Sequence, residues 1–306
     1  MAHQLRIGFI GLGYMGHGMA RNIRLRGFPV TVQAHRRRDA VDDLVALGAT
    51  EARSAAQVAR LSDVVVLCVT GADQVDALVR GRNGLASGAA ADLIIVDCTT
   101  SEPSTLLNLS KDYPAITFVD SPLGRSPKEA WEGKLSVMVG CDDQEAFERI
   151  RPVLSAFADA IQYVGQLGNG HRLKLVNNLV SLGYAALYSE AIVMARKAGL
   201  TIDAVDELLS SSRMHCAFYE TFMGWARSGD ANSHRFALGT ALHTVSDIDG
   251  FEQSLGLNGV MASAMGKIYE AAVEDGLASS MLPELPRSVG MSNGVEITPA
   301  NEEGEK

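Results

Sequence analysis

The residues best suited to chemistry lie together just past the middle of the chain. Residues 168–178 read Gly-Asn-Gly-His-Arg-Leu-Lys-Leu-Val-Asn-Asn. On a helix, Lys174 and Asn178 share one face because they are four residues apart, and Asn177 lies three residues from the lysine. An ammonium group beside a carboxamide in apolar surroundings can transfer a proton next to a polarised oxygen. The same three side chains could also do no more than cap and solvate the start of a helix.

A second candidate site is a glycine-rich turn near the N-terminus. Residues 5–10 form a short apolar run, and a G-x-G-x-x-G sequence and a helical pattern follow. In a strand–turn–helix unit such glycines allow a tight turn, close approach of the backbone to a pyrophosphate, and close helix–strand packing. The N–H groups at the start of the helix also favour phosphate. We therefore predict that a dinucleotide is bound by Gly11, Leu12, Gly13, Tyr14, Met15 and Gly16.

The residues after the second predicted strand (residues 30–34) bear on which dinucleotide is bound. An acidic residue there normally hydrogen-bonds the ribose of NAD, whereas this chain has His35, Arg36, Arg37 and Arg38. Arginines form charge-assisted hydrogen bonds with a 2′-phosphate but gain little from a ribose hydroxyl. The pattern favours NADP as the cofactor. NAD, with a solvated basic loop, is the alternative.

The elements that must position these residues divide the chain into two halves. Before residue 165, apolar runs at 63–69, 93–97 and 116–120 alternate with helical patterns, which predicts a doubly wound parallel sheet. Ligands bind at the carboxyl ends of such strands, so Val69, Thr70 and Thr99 are further candidates for cofactor contacts. After residue 165 the pattern is helical, beginning with one long helix. We predict a dinucleotide-binding domain over 1–166, an interdomain helix over 167–197, an all-α domain over 198–292 and a disordered polar tail over 293–306.

Composition excludes several classes of protein. The 306 residues, 47% hydrophobic and 21% charged, are typical of a soluble globular chain long enough for two domains. A net charge of −9 argues against nucleic acid as a partner. The four cysteines form no CxxC pair, so neither a metal site nor a disulfide framework is expected. Residues 175–195 are too polar for a membrane span and no signal-peptide pattern is present, so we expect a cytoplasmic protein without a membrane partner.

Five segments, taken in order, resemble the β-hydroxyacid dehydrogenase family. They are the glycine turn at 11–16, Asp-Cys-Thr-Thr-Ser-Glu-Pro at 97–103, Asp-Ser-Pro at 120–122, and residues 133–140 and 168–178. That family includes 3-hydroxyisobutyrate dehydrogenase, tartronate semialdehyde reductase and, more distantly, 6-phosphogluconate dehydrogenase. The resemblance covers residues 5–290 and implies a 6-phosphogluconate dehydrogenase-like fold, in which a long helix joins a Rossmann domain to an all-α domain.

The resemblance also implies an activity: hydride transfer between NAD(P) and a short 3-hydroxy acid or its semialdehyde. Lys174 would be the catalytic acid/base and Asn178 would hold the substrate oxygen, with Asn177 beside them. The loop at 121–126 would bind the acid group of the substrate. The family loop usually continues Val-Ser-Gly-Gly, but this chain has Leu-Gly-Arg-Ser, which looks most like the sulfolactaldehyde reductase branch. The predicted small anionic substrate, which could be a sulfonate, would contact Ser121, Gly124, Arg125, Ser126 and Arg172.

A second departure lies in the C-terminal half, where the family has a Lys-Asp pair that reaches the active site. An ungapped count places His243 there, and a shift of three residues places Ser246 and Asp247 there; neither register contains the lysine. His243 could replace the charge or hydrogen bond of that lysine, or it could be a satisfied core histidine.

Two other functions stay open from the sequence. An imine reductase shares this architecture but usually carries Asp or Tyr where this chain has Lys174. A cofactor-binding protein without catalysis is favoured only by the missing C-terminal lysine. For the enzyme, the resemblance implies a homodimer or homotetramer.

Overall fold

The computed structural model describes residues 4–34 and 38–301, and the chain forms two compact units, Met1–Lys174 and Leu175–Lys306. The first unit is built on six parallel strands in the order β3-β2-β1-β4-β5-β6. These strands are β1 (Ile7–Ile10), β2 (Val30–Gln33), β3 (Thr50–Ala52), β4 (Val64–Leu67), β5 (Ile94–Asp97) and β6 (Thr117–Asp120). The order reverses between β1 and β4, and such a switch point is where doubly wound sheets bind ligands.

Between residues 16 and 154, the described part of the first unit forms eight helices. They are α1 (Gly16–Leu25), α2 (Arg38–Ala46), α3 (Ala55–Arg60), α4 (Ala72–Arg80), α5 (Leu85–Gly88), α6 (Pro103–Asp112), α7 (Pro127–Glu132) and α8 (Gln144–Leu154). Successive side chains of β4 enter two different cores: Val64 and Val66 pack in one, Val65 and Leu67 in the other. Each such side chain contributes roughly 1.5–3 kcal/mol by its burial. Apolar runs therefore predicted five of the six strands of this sheet, whereas β3, whose residues are Thr-Glu-Ala and mostly exposed, was not predicted.

A second, smaller sheet contains β7 (Leu123–Gly124), β8 (Leu135–Val139) and β9 (Ala158–Tyr163), in that order. Strand β8 is antiparallel to β7 and parallel to β9. It is joined to the main sheet at the end of β6, where Asp120 and Gly140 exchange two backbone hydrogen bonds of 3.1 and 2.8 Å. The loop predicted to bind substrate therefore starts at the edge of one sheet and enters another.

The second unit is helical. A long helix, α9 (Asn169–Lys197), begins in the first unit and continues into the second. The helices that follow are α10 (Ile202–Ser210), α11 (Ala217–Phe222), α12 (Gly224–Ser228), α13 (Leu238–Ser254), α14 (Val260–Glu274) and α15 (Leu285–Ser292). The predicted fold class, a Rossmann-like sheet followed by a long helix and an all-α domain, is confirmed.

Helix α9 is long and apolar enough to cross a membrane by length and composition alone, although half of its most apolar window is buried within the protein. Leu182, Ala185 and Ile192 lie in the core of the second unit. The hydroxyl of Tyr269 donates a hydrogen bond of 3.0 Å to the carbonyl oxygen of Leu182. These contacts are typical of a core helix.

One predicted boundary is wrong. Residues 293–301, expected to begin a disordered tail, pack on the second unit: Ile297 is buried in its core with Val295 against it. Asn301 also donates a side-chain hydrogen bond of 3.3 Å to the carbonyl oxygen of Ser228. Two apolar residues in a polar stretch are enough to anchor the segment, because each removes apolar surface from water.

Candidate active site

The glycine turn between β1 and α1 contains two kinds of glycine. Gly11 has a φ of 105°, and a Cβ there would collide with the carbonyl oxygen of Cys68. A Cβ at Gly16 would collide with the carbonyl oxygen of Gly11. A Cβ at Gly13, in contrast, would meet no described atom within 4 Å. The first two glycines are therefore required by the fold, whereas Gly13 leaves open space beside the backbone, as a bound pyrophosphate requires.

The start of α1 fits the same ligand. No side chain of the described residues caps the helix at Met15, and its first turn contains no acidic residue. The positive end of the helix dipole is therefore not neutralised by a described carboxylate. The side chain of Leu12 is buried in the core and that of Tyr14 is 70% exposed, so only the backbone of Leu12 can face a ligand.

The residues predicted to select NADP are only partly described. His35, Arg36 and Arg37 lie outside the described residues. Arg38 begins α2, and its guanidinium pairs with Glu51 at 2.6 Å and with Asp42 at 2.8 Å.

The loops after β4 and β5 are joined to each other. The N–H of Val69 donates to Thr99 Oγ1 at 3.2 Å, and the N–H of Thr99 donates to Asp97 Oδ1 at 2.9 Å. Thr99 is buried and Thr70 is exposed. The three predicted cofactor contacts in these loops thus lie at the carboxyl ends of neighbouring strands, where ligands bind in such sheets.

Asp120, at the end of β6, holds the start of α9. Its Oδ1 accepts a hydrogen bond of 2.7 Å from the N–H of Gly168, and its Oδ2 accepts one of 2.7 Å from the N–H of His171. The carboxyl group is completely buried, and this burial raises its pKa despite the two hydrogen bonds. The positive end of the helix dipole of α9 also stabilises a carboxylate at this position.

His171 connects α9 to the loop after β5. Its ring is fully buried, and Nε2 lies 3.0 Å from the carbonyl oxygen of Thr99. Because a carbonyl oxygen only accepts, Nε2 carries the proton in this bond. Nε2 is also 3.7 Å from Asp97 Oδ2, and burial raises the pKa of the Asp97 carboxyl. Among the described residues, Asp97 Oδ2 and His171 Nδ1 have no hydrogen-bond partner.

Lys174 lies on α9, one turn after His171. It is partly buried, and burial lowers the pKa of its ammonium from 10.5 to about 8. Along the same uninterrupted helix, Asn178 is buried and Asn177 is exposed. The helix therefore brings Lys174 and Asn178 onto one face, as their spacing predicts. A lysine whose pKa is near neutrality can both give and take a proton.

The loop predicted to bind the substrate acid group is held by its own contacts. The guanidinium of Arg125 donates from Nη1 to Asp159 Oδ1 at 2.7 Å and to the carbonyl oxygen of Lys134. Ser126 is the N-cap of α7 and forms a capping box with Glu129. Gly124 pairs with Ser136 in β8.

The other predicted substrate contacts are varied in exposure. Ser121 is completely buried, and its hydroxyl has no partner among the described residues. Arg172 folds back on its own helix, with Nη1 2.6 Å from Asn169 Oδ1. His243, on α13, has a side chain that is 61% exposed, with Nδ1 3.3 Å from Asp247 Oδ2. The alternative that His243 is a core histidine is therefore wrong, and the roles of all three residues in binding stay predictions.

Sequence reasoning missed the parts played by Asp97, Asp120 and His171. A signal was present, because two apolar strands each end in an acid, and the register of β5 and β6 places Asp97 beside Asp120. The partners of Asp120 lie 48 and 51 residues away in the chain, so the contact itself is not readable from spacing. Within the described ranges, no three His, Cys, Asp or Glu side chains gather as a group that could hold a metal ion.

Comparison with known families matches both halves of the chain. Residues 6–165 match the NAD-binding domain of 6-phosphogluconate dehydrogenase. Residues 168–282 match the domain described as the NAD-binding domain of NADP-dependent 3-hydroxyisobutyrate dehydrogenase.

Sequence comparison with individual proteins, and fold comparison with a solved structure, agree with these family matches. The chain is 36% identical to 2-(hydroxymethyl)glutarate dehydrogenase of Eubacterium barkeri, over 69% of this chain and 70% of that protein. It is 33% identical to 3-sulfolactaldehyde reductase of Escherichia coli, over 67% of this chain and 69% of that protein. A crystal structure of 3-hydroxyisobutyrate dehydrogenase from Salmonella typhimurium shares the fold, with a TM-score of 0.82 and 23% identity, over 93% of this chain and 99% of that one. The chain therefore belongs to the β-hydroxyacid dehydrogenase family, as an NAD(P)-dependent dehydrogenase or reductase.

Proposed function

We propose that this protein interconverts a short anionic 3-hydroxy acid and the corresponding semialdehyde with NADP as cofactor. The observation that carries this proposal is Lys174, whose ammonium is partly buried in the second turn of α9 with its pKa lowered to about 8. A free lysine would be almost fully protonated at neutral pH and a poor base. The lowered pKa makes both protonation states accessible near neutrality, as a reversible reaction requires.

The residues of this chain would bind the cofactor, orient the substrate and transfer a proton. The turn at Gly13 and the start of α1 would hold the pyrophosphate of the cofactor, and the loops at Val69 and Thr99 would lie beside its nicotinamide half. When bound, the nicotinamide supplies or accepts the hydride. In reduction, Lys174 donates its proton to the carbonyl oxygen of the substrate, and in oxidation the neutral amine removes the hydroxyl proton. Asn178 would orient that oxygen by donating a hydrogen bond from its amide.

Arg125 supports an anionic substrate. Its φ of 75° lies in the left-handed region, which no other described non-glycine residue enters. Such a conformation costs roughly 1–3 kcal/mol and is concentrated at functional sites. Only Nη1 has partners among the described residues, so Nε and Nη2 are left to bind a carboxylate or sulfonate.

The names of the relatives fit the same class of substrate. One relative is named for hydroxymethylglutarate and another for sulfolactaldehyde, and both of these compounds are small anions. We infer that the substrate of this protein also combines a reacting carbon near one acid group with a small size.

An initial-rate screen tests the reaction and the substrate class together. NADPH and NADH are each supplied with sulfolactaldehyde, succinic semialdehyde, methylmalonate semialdehyde and tartronate semialdehyde, with a cyclic imine as the rival substrate. We expect reduction of at least one semialdehyde, with NADPH preferred. A preference for NADH of about tenfold or more would contradict the phosphate-binding role of His35, Arg36 and Arg37. Turnover of the imine alone would replace the proposal by imine reduction.

Arg125 is tested by a pair of variants. Arg125→Gly removes the guanidinium and the backbone strain, whereas Arg125→Ala removes the guanidinium and keeps the strain. We expect both to raise the KM of the anionic substrate about tenfold or more, because a charge-assisted pair is lost. Arg125→Gly should be more stable to unfolding than Arg125→Ala by about 1 kcal/mol. Asp159→Asn is the matched control, because it removes the partner and leaves the guanidinium; an unchanged KM in Arg125→Gly would exclude the role.

We further propose a homo-oligomer in the cytoplasm. Exposed apolar side chains occupy one stripe of α9, at Val176, Val180, Leu187 and Met194. Light scattering on the purified protein should give at least the mass of a dimer, and Leu187→Asp should lower it.

A further inference from the structure

Asp120 holds the first turn of α9, and its carboxylate is closely surrounded by the backbone of residues 140, 168, 170 and 171, which we call the socket of Asp120. The two carboxylate oxygens each accept one backbone N–H, from Gly168 and from His171, both at 2.7 Å. A Cβ at Gly140 would collide with Oδ1, and one at Gly170 would lie only 2.7 Å from Oδ2. The helix start is thus fixed both by two charge-assisted hydrogen bonds and by close contact on both sides of the carboxylate.

His171 provides a second anchor on the same turn. Its Nε2 donates to the carbonyl oxygen of Thr99 at 3.0 Å, in a completely buried position. Thr99 is itself held through its hydroxyl by the N–H of Val69 and through its N–H by Asp97. A continuous series of hydrogen bonds therefore runs from the loops after β4 and β5 to the backbone of α9.

Lys174 follows His171 by three residues, which is about 4.5 Å along a helix axis. We propose that Asp120 and His171 are positioning residues, which together hold Lys174 at a fixed place relative to the loop of Thr99. This inference rests on the proposed function of Lys174 in proton transfer. Its physical basis is that proton and hydride transfer need near-ideal geometry, and a displacement of about 1 Å can lower a rate about a hundredfold.

The chain offers a matched control for a capping carboxylate. Asp143 caps α8, where its Oδ1 accepts from the N–H groups of Glu145 and Ala146 at 2.8 and 3.1 Å. Like Asp120, Asp143 is a carboxylate that accepts two backbone N–H groups at the start of a helix. It is exposed, however, and the helix that it caps does not contain Lys174. If both carboxylates served only stability, neither substitution would change turnover per folded molecule.

The first experiment compares Asp120→Asn with Asp143→Asn, and His171→Gln with His171→Met. Asparagine has one acceptor oxygen, so at position 120 one of the two bonds is lost, whereas at position 143 both bonds can be kept. The Nε2 of glutamine can donate to Thr99 as the histidine does, but methionine cannot. The measurements are kcat with the best substrate and the Kd of the cofactor.

We expect kcat to fall about tenfold or more in Asp120→Asn and His171→Met, with the cofactor Kd changed less than about threefold. His171→Gln should restore most of kcat, and Asp143→Asn should match the wild-type protein. The inference is overturned if Asp120→Asn loses no more turnover per folded molecule than Asp143→Asn, or if His171→Gln is as impaired as His171→Met. If Asp120→Asn does not fold, the His171 pair decides.

A second measurement needs no substrate. The rate at which Lys174 reacts with acetic anhydride, followed by mass spectrometry over a range of pH, reports the pKa of its amine. In the wild-type protein this pKa should be about 8, and a displaced, better hydrated amine in His171→Met should move toward 10.5. An unchanged profile in that variant would also overturn the inference. If the wild-type protein reduces none of the semialdehydes, the proposed function fails, but this labelling still decides whether the two residues position Lys174.

Discussion

Helices α1 and α9 both start at a glycine-rich turn at the carboxyl end of the sheet, but their first turns are completed differently. At α1, no described side chain caps the helix, and a Cβ at Gly13 would meet open space. At α9, the Asp120 carboxylate accepts two N–H groups, and a Cβ at Gly170 would strike that carboxylate. One helix start is left for an anion from outside, whereas the other is closed by an anion of the protein itself.

The difference predicts what each helix contributes. An open helix start gains its stabilisation when a phosphate binds, so we expect α1 to supply affinity for the cofactor. A closed start gains it on folding, so we expect α9 to supply a fixed position for Lys174 before any ligand arrives. Affinity and proton transfer should therefore be separable by mutation.

The largest expected effect is at Lys174. Lys174→Met should lower turnover by about 10²–10⁴-fold, because the proton donor is lost, with little change in the Kd of the cofactor. Steady-state rates and cofactor titration by fluorescence measure the two quantities. Lys111→Met, at an exposed lysine on α6, is the control and should resemble the wild-type protein. Near-normal turnover in Lys174→Met would break the assignment of α9 to proton transfer.

Gly13 should give the opposite result. Gly13→Ala should fold normally, because no described atom lies within 4 Å of the new Cβ, but it should weaken cofactor binding about tenfold or more by blocking the pyrophosphate. Gly11→Ala should instead destabilise the protein itself, because φ is 105° and the Cys68 carbonyl oxygen fills the space. Thermal melts and cofactor titration distinguish the two. Full cofactor affinity in Gly13→Ala would mean that the open start of α1 is not the phosphate site.

A moderate effect is expected from pH. Because the pKa of Lys174 is lowered to about 8, the rate of oxidation should rise as pH increases through about 8, and the rate of reduction should fall over the same range. The free energy of unfolding should depend on the same protonation equilibrium of Lys174. Between about 8 and 10.5 the unfolded chain binds a proton that the native lysine does not, so the contribution of this side chain to the free energy of unfolding rises with pH. Profiles of kcat/KM in both directions test the first part, and pH-dependent unfolding of wild-type and Lys174→Met protein tests the second.

The smallest effect is expected at the exposed cap of α8. Asp143→Ala should lower the free energy of unfolding by about 1 kcal/mol, because two N–H groups lose their acceptor, and should leave turnover unchanged. Urea unfolding followed by circular dichroism measures the loss. A parallel loss of activity would mean that caps in this unit act on the site through general stability, which would weaken the contrast between α1 and α9.

The sequence predicts most of the fold because strands such as β4 and β5 are nearly continuous runs of valine, isoleucine and leucine. It misses two short strands: β3, which is mostly exposed, and β7, which has two residues. Lys174 and the glycine turn are predictable because their spacing is local. The positive φ of Arg125 and the partners of Asp120 are not, because they depend on chain segments brought together only by folding.

The socket around Asp120 has a consequence for recombination between relatives. Because Gly140 and Gly170 have no side chain, they leave room for the carboxylate of Asp120, so the residues at these three positions constrain one another. A chimera that takes residues 120–140 from one parent and 168–174 from another should remain active only where the acid and both glycines are inherited together. A crossover between residues 140 and 168 is therefore safe only between parents that share all three, and screening for the triplet would enrich a shuffled library in working enzymes.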